Sequence, residues 1–252
     1  MRHLFCDAGE AALAAVMARQ PLLAFDFDGT LAPIVARPDD ARVSAAIAQQ
    51  LRQLATLCPV AIVTGRSVAD VSQRLGFEPH FIVGNHGAED PLDPAPPHTS
   101  PSLDALRLRL AAAGPALAAA GVSIEDKRFS LALHYRLARD RDAAQAAIDQ
   151  LLATLEPGLE TFGGKCVMNV VDTQAPDKGD AVVKLVERTG TQAAVFVGDD
   201  VNDEAVFVRA PPHWLTVRIG RDDPRSRAAY FLDGHAEVAL FLGMMLNALS
   251  TP

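Results

Sequence analysis

The chain has 252 residues, 49% of them hydrophobic and 21% charged, with a formal net charge of -8. That length can bury a sizeable core in one large domain or two small ones, and the acidic balance argues against a nucleic-acid or anionic-membrane surface, which needs clustered Lys and Arg. Cys6, Cys58 and Cys166 are far apart, odd in number and in no metal-like spacing, which argues against a disulfide framework or zinc site and fits small core hydrophobes in a reducing cytoplasm. No apolar run reaches transmembrane length and Asp7 and Glu10 interrupt any leader-like stretch, so a cytoplasmic protein is expected.

Residues 8–19 are Ala-rich with apolar positions at helical spacing and predict a lead-in helix that Pro21 ends. The run Leu22-Leu23-Ala24-Phe25, cut off by Asp26, Asp28 and Gly29-Thr30, reads as a buried strand delivering carboxylates to its C-terminal end. Two acids so close repel unless a cation or proton offsets them; the bland alternative is a pair of turn formers. After a proline-containing loop, Asp39-Asp40 suit the start of a helix running to about Leu57. Residues 59–63 form a second strand, ended by Thr64-Gly65-Arg66-Ser67 and followed by a helix over about 68–75. A hydroxyl and a glycine there make an anion site, although Thr-Gly is also a common turn. Phe81-Ile82-Val83 is a third strand, leading into Gly84-Asn85-His86-Gly87-Ala88-Glu89, where His86 is either a substrate contact or a satisfied loop histidine.

Five prolines within residues 90–101 mark a linker. Beyond it come a helical pattern over 103–120 broken by Gly114-Pro115, paired strands over 122–125 and 129–136, a helix over 140–155, and a second strand pair over 159–162 and 165–171 separated by Gly163-Gly164. This αββαββ order predicts an inserted α+β unit with helices on one face of an antiparallel sheet. The α/β alternation resumes with a helix from Asp177-Lys178-Gly179, a very apolar strand over 193–197 ended by Gly198-Asp199-Asp200-Val201-Asn202-Asp203-Glu204, a helix, strands over 214–219 and 230–232, and a last helix over 236–249.

In a parallel sheet, Asp26 and Asp28, Thr64, Lys178, and Asp199 with Asp203 would converge on one edge. Such a set suits phosphoryl transfer: a hard cation such as Mg²⁺ on Asp26, Asp199 and a carbonyl near Asp28, Asp26 as nucleophile, Asp28 as acid and base, Thr64 and Lys178 on phosphate oxygens.

The motifs DFDGTL, TGRS, DKG and GDDVNDE, in this order, resemble the four motifs of the haloacid dehalogenase superfamily of phosphatases. LAPI with a following RP, GNHGAE, the segment 122–127 leading to His134-Tyr135-Arg136, and GDDxxDE are similar, within it, to trehalose-6-phosphate phosphatases. The resemblance implies a HAD-like Rossmannoid α/β core of residues 1–96 and 173–252, a cap of residues 97–172 that closes over the sugar, and catalysis by Asp26, Asp28, Thr64 and Lys178. It further implies Mg²⁺ drawn from Asp26, Asp28, Asp199, Asp200 and Asp203, with Asp203 supporting Lys178 or the metal. Gly65, Arg66, His86, Glu125, Lys127, His134, Arg136 and Asn169 are the implied substrate contacts; for Glu125, Lys127, His134 and Arg136 the bland alternative is a solvated strand face. Two positions depart from that family: Asn202 stands where Thr is usual, and Asn169 where a cap-strand Glu is usual, an amide that donates and accepts in place of an acceptor-only carboxylate.

The implied reaction is hydrolysis of trehalose 6-phosphate by a monomer, with a trehalose-6-phosphate synthase as a candidate partner. Another sugar phosphatase is the alternative within the same chemistry. A non-catalytic sugar-phosphate-binding partner of a synthase is disfavoured by the complete acid and lysine set, and a Rossmann nucleotide binder by the lack of a Gly-rich turn after the first strand.

Overall fold

The computed structural model describes residues 1–93, 100–164 and 166–250. They fall into two compact units, one of residues 1–92 with 176–252 and one of residues 93–175. In chain order the first unit contains β1 (Arg2–His3), α1 (Asp7–Met17), β2 (Leu22–Phe25), α2 (Ala45–Ala55), β3 (Val60–Val63), α3 (Val68–Ser72) and β4 (Phe81–Val83). The second contains α4 (Pro101–Ala119), β5 (Ser123–Asp126), β6 (Ser130–His134), α5 (Arg141–Leu152), β7 (Leu159–Gly164) and β8 (Val167–Asp172). The first unit is completed by α6 (Lys178–Thr189), β9 (Ala194–Gly198), α7 (Glu204–Arg209), β10 (Leu215–Ile219), β11 (Tyr230–Leu232) and α8 (Val238–Ser250).

The first unit is built on a seven-stranded parallel sheet in the order β1-β11-β10-β9-β2-β3-β4. Strands β2, β3 and β9 are buried along their whole length, which is why they read as unbroken apolar runs rather than alternating ones. Successive residues still point to opposite faces: Leu23, Phe25, Ile62 and Val197 pack with α1, α2 and α8, while Leu22, Ala24, Val63 and Phe196 pack with α6 and α7. Because all strands run one way, the residues that follow β2, β3 and β9 lie at one edge of the sheet.

The second unit is a four-stranded antiparallel sheet, β5-β6-β8-β7. Its core joins Leu131, Leu133 and Val170 to Leu103, Leu106 and Leu110 of α4 and to Ala144 and Ile148 of α5. Helices therefore cover one face of this sheet.

Two local expectations are corrected, and one strand was not foreseen. The helix expected from Asp39-Asp40 is only a short 3₁₀ turn there; α2 begins at Ala45, where the Ser44 hydroxyl accepts from the Ile47 N–H at 3.3 Å. Helix α4 runs through Gly114-Pro115 without ending, since one missing N–H is outweighed by the apolar face on either side of it. Strand β1, two residues long, carries no pattern in the sequence. The expected linker over 90–101 lies partly outside the described residues, as does Lys165 at the start of an expected strand.

Candidate active site

Asp26 directly follows β2, and its N–H donates to the Val197 carbonyl of β9 at 2.8 Å, continuing the sheet by one step. Lys178 is the first residue of α6, whose start is fixed by a capping box between Asp177 and Asp180. From there its ammonium donates to Asp26 Oδ1 and to Asp203 Oδ1, both at 2.7 Å, and the lysine is 1% exposed. Asp203 uses its other oxygen, Oδ2, to accept the N–H groups of Asp199 and Asp200, each at 2.9 Å. The loop after β9 is thus folded around one carboxylate. Burial pushes the Asp26 carboxyl well above the usual range, with the Asp203 and Asp199 charges adding and Lys178 opposing. For Lys178 burial alone acts downward, but Asp203 and Asp26 outweigh it and hold the ammonium above its ordinary value.

Carboxylate oxygens of Asp26, Asp199 and Asp203 all lie within 4.8 Å of one another, and all three residues are buried. Three carboxylates against one ammonium leave two formal negative charges in a buried site. An all-oxygen donor set of that charge fits a hard divalent cation. Gly29 makes the packing possible: at φ +84° it approaches so near that a Cβ there would stand 2.0 Å from Asp199 Oδ2. Asp28 and Asp200 do not join this cluster. The Asp28 carboxylate is gripped by Arg66, Nε to Oδ2 at 2.7 Å and Nη2 to Oδ1 at 2.8 Å, and Asp200 caps the turn over Val201–Asp203.

Thr64 follows β3 with no exposed surface, its hydroxyl accepting from the Arg66 N–H at 3.2 Å. The Arg66 guanidinium also binds Asp70 at 2.7 Å and the Pro38 carbonyl at 2.8 Å, and sits 5.2 Å from the centre of the Phe27 ring. His86 is buried against Gly65, where a Cβ would fall 2.3 Å from its Cε1.

In the second unit, the sheet face away from the helices carries the row Glu125, Ala132, Asn169, Phe162, directly paired across four strands. His134 lies on the same face and its Nε2 meets Glu125 Oε2 at 2.8 Å, with Lys127 Nζ 3.8 Å from that oxygen. Asn169 is 5% exposed whereas β5 is exposed along its length. Arg136 follows β6, and its carbonyl accepts from Arg141. The structure thus gathers Glu125, Lys127, His134 and Asn169 on one polar face. Asn85 and Glu89, to which reading from sequence assigned no role of their own, are joined at 2.6 Å beneath the Thr64 turn; their mark in the sequence is the GNHGAE stretch.

A parallel sheet bearing acids at one edge, with an inserted antiparallel α+β unit, is the HAD-like architecture. A HAD-superfamily phosphatase of Bacteroides thetaiotaomicron superposes with a TM-score of 0.62 at 16% identity, covering 90% of this chain and 95% of that one. The C-terminal domain of the trehalose-6-phosphate phosphatase of C. albicans superposes with a TM-score of 0.79 at 22% identity, covering 94% and 96%. The profile of the trehalose-phosphatase family matches residues 24–230, and the chain belongs to that family. The trehalose-phosphate phosphatase of Mycobacterium marinum is 37% identical over 246 residues, 92% of this chain and 63% of that protein; the chain therefore spans less than two thirds of the length of such relatives. Among the described residues no helix is long and apolar enough to cross a membrane.

Proposed function

We propose that the chain is a Mg²⁺-dependent phosphatase that hydrolyses trehalose 6-phosphate to trehalose and inorganic phosphate through an aspartyl-phosphate. The observation that carries the reading is the buried Asp26–Lys178–Asp203 cluster beside Asp199, held at 2.7 Å contacts. Asp26 attacks phosphorus and the ester oxygen departs, taking a proton from Asp28; water then attacks the phosphoaspartate and yields its proton to Asp28, so Asp26 is regenerated. Thr64 and Lys178 donate to phosphate oxygens as charge redistributes. Asp26 and Asp199 would hold Mg²⁺, which would supply neutralisation of the phosphate charge. Asp203, whose oxygens already serve Lys178 and two backbone N–H groups, is the support of that lysine.

Residues 97–172 act as the substrate-selecting cap, with Glu125, Lys127, His134 and Asn169 binding sugar hydroxyls and Gly65, Arg66, His86 and Arg136 completing the contacts. The names of its relatives support trehalose 6-phosphate as substrate; on this reading a trehalose-6-phosphate synthase supplies it in the cytoplasm and the phosphatase acts as a monomer. A second reading, another sugar phosphate, is favoured by the buried amide of Asn169 at the centre of that face. A panel of sugar phosphates compared by kcat/KM separates the two: trehalose 6-phosphate is expected to lead by more than about tenfold, and a smaller lead favours the second reading. Asp26→Asn is expected to abolish phosphate release with the circular dichroism spectrum unchanged; retained turnover would sink the mechanism.

A further inference from the structure

The loop after β4 is strained in a way that the chemistry above does not use. Asn85 and His86 both adopt left-handed backbone, at φ +51° and +58°, a conformation that costs a non-glycine residue about 1 kcal/mol or more and persists only where its surroundings enforce it. What enforces it is visible. The Asn85 N–H donates to the Arg66 carbonyl at 2.8 Å and the His86 N–H to the Thr64 carbonyl at 2.9 Å, so this turn grips the Thr64–Arg66 turn from its backbone side. One oxygen, Glu89 Oε2, locks the arrangement: it accepts from Asn85 Nδ2 at 2.6 Å and from the Val68 N–H at 2.9 Å. Val68 opens α3, and two residues on, Asp70 holds the guanidinium that grips Asp28.

We propose that Glu89 is a positioning residue for the acid/base Asp28, acting through Asn85, the start of α3 and Arg66. The inference rests on the phosphatase reading but not on the identity of the sugar. Glu89 touches none of the reacting groups; it sets where the Arg66 fork stands, and the fork sets where the Asp28 carboxylate stands. A loss of position at the acid/base is felt most where the leaving group needs a proton.

Both bonds end on a single oxygen, which gives the test its control. Glu89→Gln can present its amide oxygen to Asn85 and Val68, whereas Glu89→Ala and Glu89→Asp cannot reach them. The three variants are assayed in the full chain with Mg²⁺ on phenyl phosphate, whose leaving group gains from protonation, and on p-nitrophenyl phosphate, whose phenolate leaves without it. Glu89→Ala is expected to lower kcat/KM, which reports departure of the leaving group, roughly 100-fold on phenyl phosphate and no more than about tenfold on p-nitrophenyl phosphate. Glu89→Gln returns both to within about threefold of the parent. Should Glu89→Ala fail to fold, Glu89→Asp carries the same comparison. Equal losses on both substrates, no loss on either, or a Gln variant as impaired as Ala with its thermal midpoint intact would overturn the proposal. If the parent hydrolyses the aryl phosphates but no sugar phosphate, the substrate reading fails while the Glu89 comparison still stands.

Discussion

Lys178 is the residue on which the site's charge balance turns. Its ammonium pairs directly with both buried carboxylates, Asp26 and Asp203, and its two 2.7 Å bonds make their close approach tolerable. Lys178→Met keeps most of the volume and removes the charge. Removing one partner from a buried ionic cluster typically costs about 3–5 kcal/mol, because the remaining charges stay desolvated. We expect the Mg²⁺-free variant to lose that much stability in urea unfolding, with the m-value unchanged, and, with Lys178 acting as the proposed donor to the transferring phosphoryl group, kcat to fall roughly 10²- to 10³-fold. A variant as stable as the parent would mean that Asp26 and Asp203 are kept apart by something other than this lysine. This part of the site was legible in the sequence, because acids and a lysine at strand ends and helix starts are conspicuous against apolar runs such as Leu22-Leu23-Ala24-Phe25. The Arg66 grip on Asp28 was not, since both partners sit in turns and nothing in their spacing of 38 residues states a contact.

At the scale of elements, the same contrast recurs. Strands β2, β3 and β9 announce themselves by composition, and their parallel order follows from the helices between them. Helix boundaries do not, because several residues can serve as caps and only tertiary packing selects among them. Around α2 the candidates are Asp39, Asp40 and Ser44, all with capping side chains. The chain uses Ser44, because Ala41 and Val43 are drawn into the core ahead of it and hold the backbone extended through Ser44 at ψ 152°. Ser44→Ala is expected to cost about 1 kcal/mol in urea unfolding, while Asp40→Ala, on an exposed carboxylate, shifts stability by less than about 0.5 kcal/mol. The reverse order of effects would restore Asp40 as the helix start.

For the whole molecule, each unit carries its own core and its own charged clamp. In the first unit Asp70 is held below the usual carboxylate range: burial acts upward, but hydrogen bonds from Arg74 and Arg66 and their charges outweigh it. In the second unit Asp126 is likewise lowered, by hydrogen bonds from Arg107 above all, against partial burial. A carboxyl whose folded pKa is depressed binds its proton more readily when unfolded, so its stabilisation is fully present above the unfolded value of about 4 and is lost as pH falls through the folded one. Both units should therefore weaken together on acidification below about pH 4, long before any loss of hydrophobic burial. Asp70→Asn and Asp126→Asn should each lower stability at neutral pH and flatten the acid limb of the denaturation curve. In Asp70→Asn the change is read in unfolding of the first unit and in weaker positioning of Arg66; in Asp126→Asn it is confined to unfolding of the second. Urea midpoints measured at pH 3, 5 and 7 check this, and an acid limb as steep in both variants as in the parent would assign acid sensitivity to other groups.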